Sequence, residues 1–81
     1  METRIAVLSI IVEDSSQTDA LNKIIHDYAE YVVGRMGIPY REKGINIISL
    51  VLDAPQNAIS TLSGKIGRLV GVTAKAAYAK V

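Results

Sequence analysis

Few residues in this chain could do chemistry, and their spacing decides what kind. Ser63-Gly64-Lys65 resembles part of a phosphate cradle. A nucleotide loop, however, needs a glycine five positions before the Gly-Lys pair and a Ser or Thr directly after the lysine to reach a metal ion. Ile59 and Ile66 hold those two positions. The geometry fails as well, because phosphate needs the free N–H groups at the start of a helix. Here Ile59, Leu62, Ile66 and Leu69 repeat at helical spacing, which places Gly64 and Lys65 inside a helix. Nucleotide chemistry is excluded on both grounds. The single histidine, His26, falls on the polar side of a predicted helix with Asn22, Lys23 and Glu30. Without a second imidazole or a cysteine it reads as a solvated side chain rather than a metal ligand or general base. Glu13, Asp14 and Asp53 sit at strand-to-helix junctions, where carboxylates cap helix N-termini. No catalytic residue, metal site or cofactor is expected.

Composition bounds the rest. At 81 residues the chain has room for one domain with one core, spanning 1–81. It lacks Trp, Phe and Cys, so the core must be aliphatic, and disulfides, iron–sulfur ligation and thiol chemistry are excluded. A formal charge of +1 gives no electrostatic basis for binding nucleic acid. Met1 to Arg4 lead into an apolar run, Ile5 to Val12, too short to span a bilayer and without a cleavage site. These features predict a cytoplasmic protein with no membrane partner.

The elements that position these residues come as two copies of one unit. IAVLSIIVED (5–14) matches INIISLVLDA (45–54) in residue type at nearly every place, down to Ser9 against Ser49. Each run reads as a buried strand. After the first, Ser16 with Asp19 fits a capping arrangement, and Leu21, Ile24, Ile25, Tyr28 and Val32 repeat at helical spacing. The second helix begins around Pro55. Both helices close on similar text, VVGR and LVGV, so Gly34 and Gly71 are expected as cap glycines. Weaker edge strands follow, RMGIPYR and VTAKAAYAK, with Pro39 suited to an edge and REKG (41–44) making a hairpin. Charged Arg35, Arg41, Glu42 and Lys43 ring that edge and discourage strand addition. The order βαββαβ predicts an α+β, ferredoxin-like fold: a four-stranded antiparallel sheet with two helices on one face.

Both faces of the two strong strands are greasy, so the face without helices needs a cover this chain does not contain. An even-numbered hairpin loop pairs Tyr40 with Ile45 and Ile38 with Ile47. That groups Met36, Ile38, Tyr40, Ile45, Ile47 and Val51 on one face, the expected partner of the helices. Leu8, Ile10, Pro39, Ile48 and Leu50 share the other, expected to be the interface of a homodimer or homotetramer.

The opening strand together with GIPYRE, IISLVL and LSGKIG resembles the iron-only hydrogenase system regulators over the whole chain. That family looks like the C-terminal effector domain of nickel-responsive repressors and, more distantly, like ACT domains. The resemblance implies a small regulatory or sensor module that oligomerises through its sheet. The repressors' nickel ligands do not carry over: the positions of their His-x-His pair and Cys fall at Gly37, Pro39 and Asn46, leaving only His26. Their DNA-binding arm is missing too. Acylphosphatases share the fold but need a glycine-rich loop with an Arg after the first strand, where this chain has VEDSSQ. A non-enzymatic regulator, or alternatively a structural subunit docking on a hydrogenase-maturation protein, is the expectation. If a small effector binds, ACT-like precedent points to the second helix, where Ser60, Gly64 and Gly67 line a side away from the apolar stripe and Lys65 or Arg68 could hold an anion. The same glycines read equally well as packing residues, with Gly67 an early stop.

Overall fold

Two apolar strands pair at the centre of the molecule, and their register sets everything around them. In the computed structural model, which describes residues 2–80, β1 (Arg4–Val12) runs antiparallel to β3 (Ile45–Ala54). Leu8 stands opposite Leu50, Ile10 opposite Ile48, and the repeat's two serines, Ser9 and Ser49, face each other. β2 (Val32–Tyr40) and β4 (Val72–Tyr78) flank this pair in the order β2-β3-β1-β4. A short 3-10 turn and α1 (Thr18–Asp27) join β1 to β2, and α2 (Gln56–Gly67) joins β3 to β4. The fold is the expected ferredoxin-like α+β arrangement. Pro39 lies on the edge strand β2, and Arg41 to Gly44 make the hairpin that pairs Tyr40 with Ile45 and Ile38 with Ile47. Among the described residues no helix is long and apolar enough to cross a membrane.

The hairpin grouped its residues correctly, but the helices cover the opposite set from the one expected. Leu8, Ile10 and Leu50 are fully buried and Ile48 is 7% exposed, packed with Leu21 and Ile25 of α1 and Ile59, Leu62 and Ile66 of α2. They form the core, so they cannot form an interface between copies. Pro39, the fifth residue assigned to that interface, is exposed near the hairpin tip. The reason lies in the central pair rather than in the bulky hairpin residues. On the helix side, Ala6, Leu8 and Ile10 meet Leu52, Leu50 and Ile48 with no polar group between them, and only at the end of the pair does Val12 meet a polar residue, Asn46. The other side carries Ser9 against Ser49 at its middle and Asp53 near its end. Helices laid there would bury hydroxyls and a carboxylate without partners, at about 1–3 kcal/mol for each unsatisfied group. Every buried side chain among the described residues is apolar. Each Leu or Ile withdrawn from water this way contributes about 1.5–3 kcal/mol.

Two helix ends also differ from expectation. α1 stops at Asp27, and Val32 belongs to β2, because the β-branched pair Val32-Val33 favours a strand. Gly34 is therefore no helix cap. It follows a bulge in β2, where Val32 pairs with Leu52 and Gly34 with Val51, leaving Val33 unmatched. The bulge lets Val32 reach the core while Gly34 and the residues after it keep the opposite phase. α2 ends at Gly67, and Gly71 serves the turn into β4 rather than the cap.

That turn locks onto the end of β1. Gly71 has φ +73°, and a Cβ there would lie 2.8 Å from the Cβ of Asp14. The Glu13 N–H donates to the Gly71 carbonyl at 2.7 Å. Asp14 in turn accepts from the Ser16 hydroxyl at 2.6 Å and the Ser16 N–H at 3.0 Å. Asp14 is thus the cap expected of the junction carboxylates, with Ser16 its donor rather than a capping acceptor. Gly71→Ala combines left-handed strain with a clash against Asp14, so it should lower stability by at least about 2 kcal/mol in urea unfolding.

The Ser16 hydroxyl, and next the Ser16 N–H, hold the Asp14 carboxyl below the usual carboxylate range. A depressed carboxyl contributes stability that is complete above its unfolded value and is lost as pH falls through its folded one. Wild type should therefore exceed Asp14→Ala in stability near neutral pH, and the gap should narrow towards about pH 2, in urea midpoints measured across that range.

Candidate functional site

The sheet face away from the helices is built from alternate residues of all four strands. Ile5, Val7, Ser9 and Ile11 of β1 lie beside Asp53, Val51, Ser49 and Ile47 of β3. β2 adds Met36, Ile38 and Tyr40, and β4 adds Thr73, Lys75 and Ala77. Ile38, Ile47 and Ile11 therefore form one aliphatic row across three strands. Met36 is 66% exposed and Ile38 is 58% exposed, while Ile11 and Ile47 are each 40% exposed. Charge is confined to Asp53 and Lys75, of opposite sign, and the only polar groups at the centre are the paired serines. A contiguous apolar surface of this kind marks an interaction site.

The residues expected to hold an effector lie along one exposed stretch of chain. Ser60, Gly64, Lys65 and Gly67 are exposed on α2, and Arg68 is exposed directly after it. Ser60 Oγ accepts from Gln56 Nε2 at 3.0 Å, and the same nitrogen donates to Tyr78 Oη at 2.9 Å. Arg4 completes this cluster, donating to Gln56 Oε1 at 2.6 Å with its guanidinium 4.1 Å from the Tyr78 ring centroid. Lys65 instead leans towards α1, its Nζ 5.2 Å from the Tyr28 ring centroid, a cation–π contact.

Gly37, Pro39 and Asn46 do come together, in a cleft between α1 and the β2–β3 hairpin that also takes in Arg35. They bring no imidazole, thiolate or carboxylate to it. His26 is exposed and lines a separate shallow groove with Asn22 and Arg35. Among the described residues, no three His, Asp or Glu side chains gather closely enough to hold a metal ion. Sequence reasoning missed the cleft because Arg35 and Asn46 are eleven positions apart and carry no shared motif; only the β2–β3 pairing joins them.

The helical glycines are testable. A Cβ at Gly64 would meet nothing within 4 Å. Gly64→Ala should stabilise the isolated chain by about 1 kcal/mol, raising its melting temperature by about 4–8 °C. A lower melting temperature would contradict the open space beside Gly64.

A TM1266-like family model, described as "Iron-only hydrogenase system regulator, putative", matches residues 4–76. No curated protein matches the chain. Among solved structures, an uncharacterised protein from Thermotoga maritima, TM1266, is 35% identical. The two superpose with a TM-score of 0.93, over 98% of this chain and 100% of the other.

Proposed function

The chain belongs to the TM1266-like family of iron-only hydrogenase system regulators, and from that premise we propose a non-enzymatic, cytoplasmic regulatory module that works as a homo-oligomer and responds to a small effector. The family description as a regulator supports the non-enzymatic reading. A net charge of +1 argues for action through protein contacts rather than direct binding to nucleic acid.

The observation that carries the oligomer is the uncovered sheet face. Strand spacing of about 4.8 Å over four strands, and a rise of about 3.3 Å over some nine residues, give it a plan of about 19 by 30 Å. Side-chain relief raises the accessible area above that plan of roughly 570 Å², towards the roughly 800 Å² per partner of a standard interface. A two-fold contact between identical faces is self-complementary: aliphatic rows meet aliphatic rows, and no like charges oppose each other at the centre. The covering surface is thus Ile5, Val7, Ile11, Met36, Ile38 and Ile47, not the core residues first assigned to it.

Light scattering tests this directly. Wild type should weigh a multiple of the 8.7 kDa chain, and Ile47→Lys should give a folded monomer, because the new charge sits in the aliphatic row that crosses the face. Leu50→Lys should unfold the chain instead, since Leu50 is fully buried. His26→Ala should leave the assembly intact. A monomeric wild type would overturn the homo-oligomer and leave the face to a different protein, such as a hydrogenase-maturation partner.

A further inference from the structure

The helix side of the β2–β3 hairpin and the start of α1 enclose a hollow between them. Its floor is Gly37, Asn46, Ile48 and Val12, and its walls are Arg35 and the first turn of α1 at Thr18 and Leu21. The cleft measures about 300 Å³, at the lower end for small-molecule sites.

Gly37 makes the hollow. It pairs with Ile48 inside β2, where a glycine weakens the strand and has no side chain to pack. The backbone does not require it, since positive φ among the described residues occurs only at Gly44 and Gly71. Nor does crowding require it. A Cβ there would meet the Ile47 carbonyl oxygen and Ile48 Cγ1 at 3.9 Å each, ordinary contacts. A strand glycine that neither conformation nor sterics explains is characteristic of a place where a ligand approaches the backbone.

The lining indicates the chemistry. Arg35 donates to Asn22 Oδ1 at 2.7 Å. That partner is a neutral amide, so it fixes the guanidinium without neutralising it. The planar fork retains further N–H donors, whose geometry matches a carboxylate. Asn46 and Thr18 add an amide and a hydroxyl to the lining. Beside them, Ile48, 7% exposed, and the almost fully buried Val12 and Leu21 offer only hydrocarbon.

We propose that this cleft binds a small carboxylate with a short aliphatic tail, the carboxylate held by Arg35 and Asn46 and the tail resting on Val12, Leu21 and Ile48. The proposal rests on the effector-responsive reading above and gives that effector a chemical class and a place. The cleft opens on the helix side of the sheet, although Ile38 and Ile47 border it as well as the proposed oligomer face.

The test uses the whole chain with isovalerate as the probe and isovaleramide as its uncharged match. Calorimetry should show the acid binding at least about tenfold more tightly than the amide, as loss of a charge-assisted contact implies. Amide NMR shifts should centre on Gly37, Asn46 and Thr18. Arg35→Gln should erase the preference for the acid. Gly37→Val fills the hollow with a better strand residue, so it should abolish binding of both probes while keeping the wild-type melting temperature or raising it. Equal binding of acid and amide, or undiminished binding in Gly37→Val, would overturn the proposal. So would shifts that map to α2 instead, although the effector reading would then stand at another site. No binding of either probe by wild type would overturn the site as described, while light scattering still judges the oligomer separately.

Discussion

The antiparallel pairing of Ser9 with Ser49 is the constraint on which the rest of the molecule depends. It lies at the middle of the two most apolar strands, and alternation carries both hydroxyls to one face. That face cannot take the helices without burying unpartnered polar groups, so the unbroken aliphatic set behind it becomes the core. Once Leu8, Ile10, Leu50 and Leu52 point inward, Leu21 and Ile25 of α1 and Ile59, Leu62 and Ile66 of α2 have a fixed partner. The outward set is fixed by the same step. The fold therefore acquires its interaction face as a by-product of choosing its core.

This explains which parts of the structure are legible in the linear text. Strand and helix order, the central position of the two strong strands, the edge placement of Pro39 and the hairpin at Arg41 to Gly44 all follow from local patterning, and all are present. Which face the helices cover is not a local property. Met36, Ile38 and Tyr40 look like core residues by size, and only the cross-strand match of the serines overrules them. The helix ends misread at Gly34 and Gly71 have a related cause. A glycine after a β-branched pair marks a bulge as readily as a cap, and strand pairing with Val51 decides between them.

The candidate sites divide along the same line. The glycines and basic residues of α2 attract attention because they are adjacent in sequence, and there Ser60 contacts Gln56 while Lys65 reaches Tyr28. Arg35, Gly37 and Asn46 attract none, because the cleft that gathers them exists only once β2 has paired with β3 and α1 has docked. Proximity in the chain was a poor guide; proximity across the ladder was the useful one.

The unmatched Val33 has a consequence for how such a chain can change over time. Because one extra residue reverses the inside-outside phase of β2, Val32 faces the core while Met36, Ile38 and Tyr40 face out. Losing a single codon there would straighten the strand but would force a choice. Either Val32 leaves the core, or Met36, Ile38 and Tyr40 turn inward and Arg35 swings out of its cleft. Length variation in lineages of this protein should therefore be excluded from β2 and concentrated in the hairpin tip, where an added residue changes no side chain's phase.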